Sequence, residues 1–282
     1  MSVSNAEIWV IRGPVGTGKS SLAASFPGKC VWFDLEYGAH RALETYTSLH
    51  PNEEMRHFTW HPFDARPELA ETNVEGIIFR RGEQVVGKIE VFRTLAQKYT
   101  EVLQHPQWDC IIVDTLKELW TYAHKGYLQE VQTVDPNRVN LIEIEYGTPN
   151  SWMDNWLGVS KSMRKHLVLV SHERPVRVPG IDAQGKPAMI IDPSGRMELD
   201  GYKHALRRAD WSIITNLVTN CPRMGTQYHT CEGWHFTATI EKSPVGVELV
   251  GKTIEDPSYE KILRFGDIIR GNRIGRSLEN GE

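Results

Sequence analysis

The residues best suited to chemistry stand near the N-terminus. In "RGPVGTGKSS", Arg12 to Ser21, the residues Gly13, Gly18, Lys19 and Ser20 satisfy the spacing G-x-x-x-x-G-K-[ST], and Gly16 adds another glycine. Such a loop surrounds an anion with main-chain N–H groups, and glycines supply the backbone angles and close approach this requires. The segment Gly13, Pro14, Val15, Gly16, Thr17, Gly18, Lys19, Ser20 and Ser21 is therefore the candidate phosphate-binding loop. Lys19 would reach the β and γ phosphates of a nucleoside triphosphate. Ser20 would set its hydroxyl on Mg²⁺, and the following helix adds its positive end. The bland alternative is a glycine-rich turn with no ligand.

Hydrolysis needs more than a cradle: a carboxylate that orders the metal and a group that positions water. Asp114 closes the apolar run "WDCIIVD" and can hold a Mg²⁺-bound water beside Ser20. It could equally cap the helix that starts at "LKEL", a task that Thr115 can also take. The run "VWFDLEYGAH" carries Asp34 and Glu36, two residues apart, where the chain leaves the carboxyl end of a strand. Ligands of open α/β sheets bind at that edge, which makes Glu36 the candidate for orienting or deprotonating the attacking water. A loop carboxylate without chemical duty is the alternative.

These residues need a scaffold of strands and helices. Short apolar runs alternate with longer helical stretches, the pattern of a parallel sheet covered by helices. Strands are expected near Ile8–Ile11, Cys30–Leu35, His57–Phe63, Cys110–Val113, Leu167–Ser171 and Trp211–Leu217. Helices are expected over Lys19–Ser25, Gly87–Leu103, Thr115–Val131, Ser151–Lys165 and Tyr202–Arg208. In the second of these, Val91, Leu95, Tyr99 and Val102 fall on one face. Past Asn220 the texture changes to short alternating runs, "QYHTC", "WHFTATIEKS" and "VGVELVG", expected as antiparallel hairpins on one sheet edge. The expected organisation is a core over 1–220, a hairpin extension over 221–265 and a loose basic tail over 266–282. Two long irregular stretches remain, Gly126–Asn150 and Glu173–Gly201.

With 282 residues and 40% hydrophobic content, the chain can bury one large core without staples. Four scattered cysteines, Cys30, Cys110, Cys221 and Cys231, argue against a disulfide framework and for a reducing cytoplasm. The opening "MSVSNAEIWVIR" resembles neither a signal peptide nor a membrane anchor. A net charge of −4 excludes coating of nucleic acid by bulk charge, so any such contact must be local. Cys221, His229, Cys231 and His235 lie within fifteen residues. Zinc accepts such ligands, but the spacing is not that of a familiar knuckle, and hairpin packing explains the cluster as well.

Several motifs together resemble the RecA family. The position after Asp114, where AAA+ proteins place the water-activating Glu, holds Thr115, whereas "DLEYGA" puts Glu36 at the end of the preceding strand, as RecA-like ATPases do. "LVLVSH" ends in Ser171 and His172, where this family places a sensor of the γ phosphate; a histidine capping a strand end is the alternative. "TIEKSPVG" places Lys242 like the lysine that ring and filament ATPases insert into a neighbour's site. Pro244 stands where relatives have arginine, and Lys242 could also be a plain hairpin lysine. Size and acidic charge resemble phage nucleotide-binding ATPases, including Sak-type single-strand annealing proteins.

The resemblance spans about Glu7 to Lys242. It implies a RecA-like P-loop NTPase fold, Mg²⁺ and ATP as cofactors, and self-association into a ring or filament. It further implies single-stranded DNA as partner in phage-type recombination or replication, with a single-strand binding protein as a further partner. Lys19, Glu36, Asp114, His172 and Lys242 would form the catalytic set, with Ser20 and Asp114 as metal ligands. The irregular stretches would then be DNA-binding loops, the first carrying Arg138 and the second Arg174, Arg177, Lys186 and Arg196. A β-hairpin flap without ligand is the competing reading of the second. A helicase loader or nucleotide switch, and a small-molecule kinase, are the alternatives to a DNA-coupled ATPase. The choice between ATP and GTP stays open.

Overall fold

The structure, a computed structural model, describes residues 6–51, 56–62, 87–181, 184–218 and 235–279, with side chains to residue 269. An eight-stranded sheet forms its centre, in the order β12-β11-β10-β1-β5-β4-β2-β3. Strands β1 (Ile8–Arg12), β2 (Cys30–Asp34), β3 (His57–Trp60), β4 (Cys110–Asp114), β5 (His166–Ser171) and β10 (Trp211–Val218) pair in parallel. Strands β11 (His235–Lys242) and β12 (Thr253–Glu255) add antiparallel pairings at the β10 edge. This is an α/β fold, a mostly parallel sheet flanked by helices with antiparallel strands on its C-terminal edge, as the sequence pattern led one to expect.

Strands β1, β2, β4 and β5 are buried at every position, because helices cover both faces. Alternation then sorts the side chains. Ile8, Val10, Val31, Phe33, Ile111 and Val113 enter one core. Helices α3 (Lys88–Gln104), α4 (Leu116–Gln132) and α5 (Gly147–Ser162) close that core. Trp9, Ile11, Cys30, Trp32, Cys110 and Ile112 enter the other, with residues of α1 (Lys19–Ala24) and α7 (Tyr259–Glu279). The expected α3 stripe holds: Val91, Leu95, Tyr99 and Val102 are all buried, and Tyr99 stacks on Trp156 with ring centroids 4.0 Å apart. On the opposite face Trp9 stacks on its register partner Trp211 at 4.6 Å.

Several expectations need correction. Helix α2 (Ala39–Leu49) was not expected; its buried Ala39 and Ala42 form a narrow stripe in a polar segment. Strand β3 stops at Trp60, and α5 begins at Gly147 rather than Ser151. The helix expected over Thr115–Val131 holds and runs to Gln132, and the irregular stretch that follows it includes a 3₁₀ turn at Glu143–Tyr146. "VGVELVG" holds a 3₁₀ turn, Val247–Leu249, instead of a strand. Residues 266–279 continue α7 rather than forming a loose tail. The stretch Glu173–Gly201 folds into two small ribbons, β6 (Glu173–Pro175) with β9 (Met197–Leu199) and β7 (Arg177–Ile181) with β8 (Pro187–Ile191). Helix α6 (His204–Arg208) follows them. "QYHTC" lies outside the described residues.

Candidate nucleotide-binding and hydrolytic site

The candidate loop joins β1 to α1 and ends in Gly18, which has φ +80° and precedes the first helical residue, Lys19. Gly13 cannot carry a side chain. A Cβ there would stand 2.4 Å from the carbonyl oxygen of Thr215 and 2.8 Å from its hydroxyl. The hydroxyls of Thr17 and Thr215 lie 2.8 Å apart, and Thr17 also donates to the Pro14 carbonyl at 2.8 Å. The carboxyl end of β10 therefore anchors the loop. Lys19 is buried and donates to the carbonyls of Gly13 at 3.0 Å and Pro14 at 2.6 Å, curling over its own loop.

Alternation along β4 puts Asp114 on the face of Cys110 and Ile112, the face that α1 covers. There its Oδ2 accepts from the Ser20 hydroxyl at 2.8 Å. Burial pushes the Asp114 carboxyl up to about 6; Ser20 and Lys19 oppose the shift, while Asp34 and Glu36 add to it. The peptide between Asp114 and Thr115 is cis. Thr115 caps α4 by accepting from the Glu118 N–H, so Asp114 is not needed as the cap.

Asp34 and Glu36 divide their duties. Asp34 accepts from the main-chain N–H groups of Gly38 at 2.9 Å and Ala39 at 3.0 Å, which holds the start of α2. Glu36 lies past the end of β2, accepting from the Thr115 hydroxyl at 2.9 Å and meeting Nε2 of His172 at 3.2 Å. The bond to His172, opposed by partial burial and aided by Thr115, holds the Glu36 carboxyl below its ordinary range. Burial lowers the Lys19 ammonium, while Asp114, Glu36 and Glu173 favour its charge. Four of the catalytic candidates, Lys19, Glu36, Asp114 and His172, thus share one cluster with Ser20.

Glu173 was missed. It opens β6, the third polar residue in succession after Ser171 and His172, and its carboxylate pairs with the Arg12 guanidinium. Arg12 also meets Glu241 through Nε at 2.9 Å and Nη2 at 2.5 Å. An ion triad centred on the buried Arg12 therefore stands just before Gly13. Adjacent polar residues at strand ends were the only hint of it; strand order was needed to join them.

Lys242 stands apart from this cluster. It pairs with Ser212 near the amino end of β10 and donates to the carbonyls of Leu206, at 3.4 Å, and Arg207, at 3.0 Å. The four basic residues expected to meet DNA all lie on the ribbons or their connections. Arg174 pairs with Glu198 at 3.0 Å and approaches Asp200 at 3.7 Å, and Arg196 pairs with Asp192. Arg177 is opposite Ile191 in the β7–β8 ribbon, and Lys186 sits in its turn. Arg138 pairs with Glu145.

Mg²⁺ favours hard oxygen ligands and usually relies on one or two protein groups plus substrate phosphates. The Ser20 hydroxyl and Asp114 carboxylate fit that demand. No group of three or more His, Cys, Asp or Glu suited to a metal exists among the described residues. Cys221, His229 and Cys231 of the candidate zinc cluster lie outside those residues, and His235 approaches Glu255 at 4.0 Å. No helix among the described residues is long and apolar enough to cross a membrane.

No protein-family model matches the sequence, and no curated protein matches it. Among solved structures, the chain is similar to a KaiC-like protein from the hyperthermophilic archaeon Pyrococcus horikoshii. The two share 14% identity over 84% of this chain and 80% of that one, with a TM-score of 0.35.

Proposed function

We propose that this chain binds Mg²⁺-ATP at the Gly13–Ser21 loop and hydrolyses it. The observation that carries this reading is the Ser20–Asp114 hydrogen bond of 2.8 Å, formed between a loop and a strand end 94 residues apart in sequence. A glycine-rich turn without a ligand has no need of a buried carboxylate facing its serine. A bound Mg²⁺ would neutralise phosphate charge beside Ser20 and Asp114. Lys19 would leave the loop carbonyls for the β and γ oxygens. Glu36, held and kept ionised by Thr115 and His172, orients the attacking water and accepts its proton. His172 shares a hydrogen bond with that base, so it responds when the base moves.

The finer reading is turnover coupled to single-stranded DNA in phage-type recombination or replication, with self-association into a ring or filament and a single-strand binding protein as a further partner. Lys242 supports the self-association: its register position is away from its own phosphate loop, so any nucleotide it meets belongs to another copy. A second reading, a nucleotide-dependent switch or loader that grips a protein, is favoured by the ribbon. Arg174 and Arg196 are already ion-paired there, while Ile181, Met189 and Ile191 stand 67%, 55% and 60% exposed.

ATPase assays with and without single-stranded oligonucleotide test both readings. Turnover that DNA stimulates supports the DNA-coupled enzyme. Slow turnover indifferent to DNA supports the switch, and phosphate transfer to a nucleoside would require a kinase. No binding of nucleotide at all would defeat every version.

A further inference from the structure

The outward face of the β7–β8 ribbon has the wrong composition for water. Exposure alternates along both strands, with the odd-numbered residues outward. Register puts Arg177 opposite Ile191, Pro179 opposite Met189 and Ile181 opposite Pro187, so these residues share that face. All but Arg177 are apolar. An antiparallel ribbon with one solvated face normally turns its polar residues outward and its apolar ones inward. Here the inward face is apolar as well, with Val178, Ala188 and Ile190 half-buried. An exposed apolar face of this kind marks an interaction surface.

A second such surface lies on the connection between α4 and α5. Leu141 is buried with Leu128 of α4, and Arg138 pairs with Glu145, which fixes the connection in place. Yet Val134 and Ile144 stand 87% and 83% exposed, and Ile142 is exposed as well. The two surfaces differ in sign of charge. From Arg177 to Ile191 the sequence sets Arg177 and Lys186 against Asp182, a net +1; from Thr133 to Tyr146 it sets Asp135, Glu143 and Glu145 against Arg138, a net −2. Arg177 and Glu143 are both exposed, and neither pairs with another charge among the described residues. Both surfaces stay open in one chain, so neither covers the other within it.

We propose that the apolar face of the ribbon docks on the 133–146 connection of a second copy of this chain. This rests on the self-association reading above and names the surfaces that carry it. Two unlike surfaces make a head-to-tail contact, which closes into a ring or runs on as a filament. Burial of Ile181, Met189 and Ile191 against Ile142 and Ile144 supplies the affinity, and Arg177 facing an acidic connection supplies the orientation. A phosphate backbone fits this face less well, because it offers nothing to the apolar side chains.

Sedimentation velocity of the full-length chain with Mg²⁺-ATP, over a concentration series, tests the interface with two variants. Met189→Glu with Ile191→Glu spoils the ribbon and leaves the connection intact; Ile142→Lys with Ile144→Lys does the converse. All four positions are exposed, so both variants should unfold at the parent's urea midpoint. The single substitutions Met189→Glu and Ile144→Lys serve if either pair lowers it. Where the parent assembles, each variant alone should sediment as a monomer. Their equimolar mixture should form a dimer and nothing larger, since each pair of chains holds one intact surface of each kind. Either variant assembling like the parent, or a mixture that stays monomeric, would overturn the proposal. Ribbon substitutions that abolish binding of a single-stranded oligonucleotide while assembly persists would give the face to DNA instead. A parent that stays monomeric throughout would remove the self-association reading itself, and this interface with it.

Discussion

Ser20 donates to Asp114 at 2.8 Å although β5 separates the strand that leads to Ser20 from the strand that ends at Asp114. The carboxylate is buried among Asp34, Glu36 and apolar strands, which raises its pKa to about 6 from an ordinary 3.8. The folded chain therefore holds this proton more tightly than the unfolded chain does. The group's contribution to stability is complete below 3.8 and is lost as the pH rises through about 6. Asp114→Asn removes that loss. In urea titrations without nucleotide, the variant should exceed the parent by up to about 3 kcal/mol at pH 8, the gap closing toward pH 4. A gap that does not change with pH would refute the burial argument.

Lys19 hydrogen-bonds two loop carbonyls, Gly13 and Pro14. Lys19→Ala should lower triphosphate affinity roughly 10- to 100-fold, since hydrogen bonds from a charged donor are lost. The free protein should change little, by about 1 kcal/mol, because each bond to a carbonyl is replaceable by water. Equilibrium binding and denaturant unfolding on one preparation separate the two effects.

Glu36→Gln should retain nucleotide binding and lose turnover by roughly 100- to 10,000-fold, the usual worth of a general base. His172 is the main cause of the depressed Glu36 pKa. At saturating Mg²⁺-ATP, the acid limb of the kcat profile should lie below the ordinary carboxylate range and move upward in His172→Ala. An unmoved limb would leave Glu36 without a role as base.

The parts of the site legible in the sequence were those built from local spacing. The loop motif and the strand-ending Asp114 declared themselves because a buried parallel strand is a continuous apolar run, and a carboxylate at its end stands out. Glu36 was legible by the same rule. Glu173, Arg12 and Thr215 were not, since their partners lie 161, 229 and 198 residues away and only the sheet order joins them. The ribbons of 173–201 were legible only as the competing flap reading, without strand bounds, because Pro175, Pro179, Gly180 and Pro187 interrupt the alternation that marks strands. Helix α2 was missed for a different reason: its polar composition leaves only a narrow apolar stripe.

Two glycines of the loop should respond differently to alanine. Both have positive φ, +155° at Gly13 and +76° at Gly16. A Cβ on Gly16 meets nothing within 4 Å, so Gly16→Ala costs the left-handed strain alone, about 1–2 kcal/mol. At Gly13 the obstacle is the main-chain oxygen of Thr215, 2.4 Å away, which cannot rotate aside. Gly13→Ala should be the more damaging to stability, by more than about 2 kcal/mol, measured as the difference in urea midpoint at constant slope.

The Arg12 triad makes the last prediction. Arg12 and Glu173 retain only 9% and 7% side-chain exposure, while Glu241 retains 30%. Removing one member of a buried pair strands the other charge, typically at 3–5 kcal/mol, whereas replacing both with apolar groups is often neutral. Arg12→Met should therefore destabilise the chain by about 3 kcal/mol, and Glu173→Leu added to it should recover most of that loss. Glu241→Gln should matter less, because water already reaches that carboxylate. Arg12 immediately precedes Gly13, so Arg12→Met should also weaken ATP binding although the guanidinium is committed to carboxylates on β11 and β6. A double-mutant cycle on unfolding free energy and ATP affinity decides this. If Arg12→Met and Glu173→Leu combine additively in both, the pair is not a coupled unit and does not support the phosphate loop.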